Sequence, residues 1–120
     1  MVKVNPENEN RRIDKRVLVD ISCAVTLTNG VKIPGTAKNL SPKGMFVESS
    51  YPLNKGTEVT INFDIPMNGD WISIEAHSQI EHRATRVSLG EYGIGVQFVE
   101  IDDESLQHLC DYIQGCPALH

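Results

Sequence analysis

The chain is predicted to be all-β, a six-stranded antiparallel β-barrel closed by a C-terminal α-helix. Three observations predict it. Apolar and polar residues alternate through successive short runs, the period of a half-buried strand. The runs are separated by Gly-containing turn signals, among them Asn29-Gly30 and Asn68-Gly69. Near the end the period changes: Leu106, Leu109, Cys110 and Ile113 are spaced i, i+3, i+4, i+7, one face of a helix.

The first strand starts at Val17. Val17, Val19, Ile21, Cys23, Val25 and Leu27 share one face, and Leu18, Asp20, Ser22, Ala24, Thr26 and Thr28 share the other. Asn29-Gly30 then suits a tight hairpin, since both residues tolerate a positive φ. A second strand is expected over about 31–38 and a short third over Met45–Glu48. Thr57–Ile65 resumes the alternation with Val59, Ile61, Phe63 and Ile65. Trp71–His82 is expected to be the longest strand, carrying Ile72, Ile74, Ala76, Ser78 and Ile80 inward. Glu91–Val99 closes the series with Ile94, Val96 and Phe98. Six such strands with short turns favour a closed barrel, because closure removes exposed edges.

The helix has a defined start and stop. Asp102 is a good N-cap, and Asp103 and Glu104 place negative charge where the helix dipole favours it. Gly115 ends the helix and Pro117 prevents its continuation. Its apolar stripe is expected to plug one side of the barrel. The domain reading is a flexible N-terminal tail over 1–10 and a single domain over 11–120. That domain comprises an arm at 11–16, the barrel at 17–101 and the C-terminal helix at 102–115.

At 120 residues the chain suits one core. No apolar run approaches the length of a membrane span, and the polar start MVKVNPENEN lacks the apolar region of a signal peptide. The expected location is therefore the cytoplasm, without membrane insertion. A net charge of −5 argues against a nucleic-acid polymer as partner. The positive charge is concentrated in residues 11–16, RRIDKR, where four cations accompany one Asp. A local basic patch on an acidic protein suits a small anion.

His108, Cys110, Cys116 and His120 form a loose cluster, but no zinc-type ligand pairing is present. Cys23, Cys110 and Cys116 read as reduced packing thiols, and no metal site or catalytic residue is expected. His77 faces outward and His82 ends its strand, so both read as surface histidines. Arg83 and Arg86 follow that strand, where plain solvent exposure accounts for them as well as an extended basic rim does, while Trp71 covers the barrel end. No Ser/His/Asp or paired-carboxylate arrangement has a supporting motif, so the chain is not expected to be an enzyme.

Two clusters stand out. One is Arg12-Ile13-Asp14-Lys15-Arg16, an RxxxR spacing preceded by Arg11; the other is Asn39-Leu40-Ser41-Pro42-Lys43-Gly44, between two predicted strands. Alone, RxxxR is weak, arising by chance in about one average chain of this length in three. The second cluster alone reads as turn chemistry, with Asn39 and Ser41 bonding nearby backbone and Gly44 taking a strained φ. Together, in an all-β frame, they say more.

The pair RxxxR followed by [D/N]xSxxG resembles the signature of the PilZ family of cyclic di-GMP receptors, on Arg12, Arg16, Asn39, Ser41 and Gly44. Gly93-Ile94-Gly95-Val96-Gln97-Phe98 also resembles that family's last barrel strand, and the likeness covers about residues 11–114. The resemblance implies a PilZ-like fold and a cytoplasmic, bacterial nucleotide-binding receptor for second-messenger signalling. The implied ligand is cyclic di-GMP, clasped between the RxxxR arm and the NxSxxG turn by Arg11, Arg12, Arg16, Asn39, Ser41 and Gly44. No other cofactor is implied.

The chemistry of these side chains suits such a ligand. Arginine's planar fork bonds guanine O6 and N7 in pairs, bridges phosphate oxygens and stacks on purines. Asn39 both donates and accepts at a guanine edge, Ser41 donates to an acceptor, and Gly44 lets the backbone come close. The arm orders on binding, and the loss of entropy makes it a switch. By the family resemblance, an arginine at Arg11 goes with two stacked ligand molecules, a third guanidinium holding the added guanine, and one residue leaves one molecule and two both open. A downstream protein partner, unidentified, would read the changed surface. The alternative is a nucleotide-independent PilZ-type interaction adaptor, against which the intact motifs speak. A barrel for single-stranded nucleic acid would want basic grooves and more aromatics than one Trp, three Tyr and three Phe.

Overall fold

A computed structural model describes residues 15–117. In chain order it consists of β1 (Val17–Leu27), β2 (Lys32–Ser41), β3 (Gly44–Ser49), β4 (Glu58–Met67), β5 (Asp70–Ser88), β6 (Glu91–Glu100) and α1 (Asp103–Gln114). Antiparallel pairing in the order β1-β2-β3-β6-β5-β4 closes the six strands into a barrel. The expected fold class is the observed one. The expected tail at 1–10, arm residues 11–14 and His120 lie outside the described residues.

The alternation fills the barrel. Val25, Ile61, Ile74, Ile80, Ile94 and Phe98 point inward and are buried, each contributing roughly 1.5–3 kcal/mol. Phe63 and Phe98 stack inside, their ring centroids 6.3 Å apart. α1 adds Leu106, Leu109, Cys110 and Ile113 to the same core. Its first turn is capped by Asp102, whose Oδ1 accepts the Ser105 N–H at 2.8 Å and whose Oδ2 accepts the Ser105 hydroxyl at 3.1 Å. These bonds hold the Asp102 carboxyl below its ordinary pKa, the Ser105 N–H contributing most.

Several boundaries differ from expectation, each for a local reason. The two hairpin signals give different turns. Asn68 and Gly69 both take positive φ (52° and 83°), a tight two-residue turn between β4 and β5. At the first hairpin only Gly30 does (89°): its N–H donates to the Leu27 carbonyl at 2.9 Å, while Asn29 Oδ1 accepts the Val31 N–H. Not every turn contains glycine, since β2 and β3 are joined by Pro42-Lys43.

β2 does not stop at 38 but runs to Ser41, with an irregularity of register between Ala37 and Asn39. The second motif is therefore mostly strand. β5 runs on past His82 to Ser88, so His82 does not end it, and Arg83 and Arg86 lie within it. Repeated register shifts against β6 explain why the sequence hides this extension. Each bulge interrupts the two-residue alternation by which a strand is recognised. Trp71 does not cover the barrel end; it is 71% exposed.

Candidate ligand site

The site begins where the arm joins the barrel. Val17, fully buried opposite the equally buried Leu40, anchors the chain at the start of β1. Two residues before it, Lys15 Nζ donates to the Gln114 carbonyl at 3.2 Å, at the end of α1 where the helix dipole favours a cation. Arg16 is exposed and its Nη1 donates to Asn39 Oδ1 on β2. The structure thus brings together one arginine of the first motif and the first residue of the second. Arg11 and Arg12 lie outside the described residues.

Asn39 belongs to a row crossing the outer face of the barrel. Leu18 of β1 pairs with Asn39, Asn39 with Phe46 of β3, Phe46 with Gly95 of β6, and Gly95 with His82 of β5. Four inter-strand steps make a band of about 19 Å. Glycine is what flattens it. A Cβ on Gly95 would stand 2.6 Å from the His82 ring, and one on Gly93 only 2.1 Å from the Phe46 ring. Both rings therefore lie over the outer surface of β6, Phe46 half-buried and His82 exposed.

Sequence reasoning missed Phe46 and read His82 as an ordinary surface histidine. The available signal was two outward-facing glycines, Gly93 and Gly95, on a strand whose inward residues are large. Such gaps in a strand mark a close approach by another group.

Ser41 and Gly44 do different work from Asn39. Ser41 is buried, its Oγ accepting the Lys43 N–H at 3.2 Å and donating to the Gly44 carbonyl at 3.4 Å. Both hydroxyl functions are thereby engaged inside the Pro42-Lys43 turn. Gly44 is not in the left-handed region, so the expected strain is absent. Its requirement is proximity: a Cβ would meet the Val96 carbonyl oxygen at 2.0 Å. The backbone that comes close to Gly44 in this structure is that of β6.

The remaining candidates are dispersed. His77 is exposed, with Nδ1 3.0 Å from Thr60 Oγ1. Arg86 is exposed opposite Tyr92, and the Arg83 side chain lies outside the described residues. Cys110 is buried in the helix face, while Cys116 Sγ donates to the Tyr112 carbonyl at 3.3 Å. His108 Nε2 sits 3.6 Å from Glu104. Among the described residues no three His, Cys, Asp or Glu side chains gather as metal ligands, and no helix is long and apolar enough to cross a membrane.

The PilZ domain family model matches residues 10–115, and the chain belongs to that family. No curated protein matches it. Among solved structures, the Bacillus subtilis inhibitor of motility MotI/DgrA is similar, with a TM-score of 0.71 and 16% identity over 87% of this chain and 49% of that one. This chain therefore spans about half of MotI's length. The PilZ domain of YcgR from Escherichia coli, solved with c-di-GMP, gives a TM-score of 0.64 and 15% identity, covering 88% of this chain and 91% of that one. The Borreliella burgdorferi PlzA protein in complex with c-di-GMP gives 0.52 and 23%, covering 88% and 42%. At these identities the likeness is one of fold.

Proposed function

We propose that the chain is a cyclic di-GMP receptor rather than an enzyme. The ligand is held between the arm, through Arg11, Arg12 and Arg16, and the outer barrel face that begins at Asn39. The observation that carries this reading is the Arg16–Asn39 hydrogen bond, which sets a guanidinium beside an amide at the end of a flat row. Arginine offers paired donors to guanine or phosphate acceptors, and the row through Phe46 and His82 offers a surface for a base. Ser41 serves the site by shaping its turn and Gly44 by letting β3 lie close against β6; Ser41 contacts ligand only if that turn opens. Family membership and the fold shared with c-di-GMP complexes support the choice of ligand.

Calorimetric titration of the full chain with cyclic di-GMP tests the proposal. Saturable binding is expected, resistant to competition by GMP and cyclic GMP and lost in Arg12→Ala. Binding retained in both Arg12→Ala and Arg16→Ala would overturn the site. Two stacked molecules give a stoichiometry of about two that Arg11→Leu halves; a single molecule gives about one in both proteins.

The second reading, a nucleotide-independent adaptor, is favoured by one observation. Ser41 has a structural duty in the β2–β3 turn and Gly44 one against the β6 backbone, and neither needs a ligand. Absence of heat and of any ligand-dependent thermal shift would select it.

A further inference from the structure

β1 and β4 close the barrel along only part of their length. Their ladder joins Cys23–Leu27 to Val59–Phe63 and stops there. Beyond it, β1 continues paired to β2 and β4 continues paired to β5, leaving two strand edges apart. A cleft of about 1090 Å³ opens at this seam, with the half-buried Ile21 and Tyr112 among its lining.

The walls of this cleft are acidic. Asp64 and Glu75 are exposed on its β4–β5 side, and among the described residues no Lys or Arg lines it. Asp64 Oδ1 accepts the Ser73 hydroxyl at 2.7 Å, and Glu75 Oε1 accepts the Asn62 amide at 3.3 Å, so both carboxylates are held in position by neutral donors. The third carboxylate, Asp20, is paired with Lys38 at 3.1 Å. Trp71, in register with Pro66, presents an open ring on the same side.

We propose that this cleft binds an extended cationic segment of a partner protein, added along the open β1 and β4 edges. Unpaired strand edges are templates for another strand, and alternate side chains of the added segment would face opposite ways. Its cations would meet Asp64, Glu75 and the Trp71 ring, while its apolar residues would turn toward Ile21 and Tyr112. Charge complementarity selects this occupant over an acidic or neutral one. The surface does not use Arg16, Asn39, Phe46 or His82, so the proposal stands whether or not the chain binds a nucleotide.

The probe is a fluorescein-labelled ten-residue peptide of alternating Arg and Val, titrated into the full chain by fluorescence anisotropy. Micromolar binding is expected, weakening at least fivefold between 50 and 300 mM NaCl. The double variant Asp64→Asn, Glu75→Gln and the single variant Trp71→Ala should each raise Kd at least fivefold. Glu58→Gln with Glu81→Gln, which removes two exposed carboxylates elsewhere, should change it less than twofold. Replacing two central Val residues of the peptide by Pro should weaken it tenfold, because strand addition needs backbone N–H groups. Amide resonances of residues 19–22 and of Asp64, Ile65 and Met67 should shift. Equal losses in the two double variants, or equal binding of a Glu-for-Arg peptide, would overturn the proposal. So would concentration-dependent self-association shifting the same amides without peptide, which would make the occupant a second copy.

Discussion

Arg16 and Asn39, 23 residues apart in sequence, are joined side chain to side chain across the β1–β2 ladder. Asn39 thereby fixes the direction of the arm's last arginine. Under the receptor reading, Asn39→Ala should weaken cyclic di-GMP binding about tenfold by freeing that guanidinium, and Arg16→Ala should weaken it more. Hydrogen bonds to charged groups contribute about 1.5–3 kcal/mol. The double variant should lose less than the sum of the two single changes, because the Arg16–Asn39 contact is lost in both. Melting temperature should barely move, since exposed polar pairs add little stability. A calorimetric double-mutant cycle measures all of this, and additive losses would show that the two residues act separately.

Gly44 is expected to respond differently. A methyl group there meets the Val96 carbonyl, so β3 and β6 must separate. Overpacking of this kind costs about 1–3 kcal/mol, and a chain of this size then melts roughly 5–15 °C lower. Circular dichroism on Gly44→Ala should record that drop whether or not ligand is present. An unchanged melting curve with lost binding would instead assign Gly44 to the ligand.

Much of this was legible in the sequence. The inward residues Val25, Ile61, Ile74 and Phe98 follow from alternation alone, because a residue's face in a strand is set by parity. The start of α1 follows from Asp102, a short polar side chain placed where an N–H needs an acceptor. What parity could not reveal were the bulges. One near Lys38 carries Asn39 into β2, and several in β5 carry His82 into the middle of a strand. The site suffered for the same reason. Its motif residues could be picked out along the chain, but the row from Asn39 through Phe46 to His82 depends on register between strands distant in sequence. The buried, internally bonded state of Ser41 depends on the turn closing behind it.

The His82 ring over Gly95 gives a test of that row. If it serves as a stacking surface, His82→Ala should weaken cyclic di-GMP binding roughly tenfold, since stacking a base on an aromatic ring contributes about 1–3 kcal/mol. His82→Phe keeps a flat ring and should stay within threefold of the parent protein. Loss in both would mean that the imidazole nitrogens matter rather than the face; loss in neither would remove His82 from the site. Isothermal titration at constant pH and salt distinguishes the three.

Cys23 makes a prediction about pH that is independent of any ligand. Burial pushes its thiol up from 9.0 to about 11, a rise only partly opposed by a hydrogen bond with the Ala37 backbone. A folded-state pKa above the unfolded one favours the protonated thiol in the fold. The resulting stability is fully present below pH 9 and is lost as pH rises through 11. Lysines and tyrosines titrate in the same window, so the informative quantity is the difference between the parent and Cys23→Ala. Cys23→Ala should be less stable at pH 8 because it leaves a cavity. The gap should narrow toward pH 11, when only the parent must keep a thiol protonated in order to fold. Urea unfolding at pH 8, 9, 10 and 11 measures it. Iodoacetamide provides a second check: at pH 8 the half-buried Cys116 should be alkylated well before Cys23, which should react only in urea. A gap independent of pH, together with rapid labelling of Cys23 in the native protein, would mean that its thiol is reached by solvent through the neighbouring β1–β4 cleft.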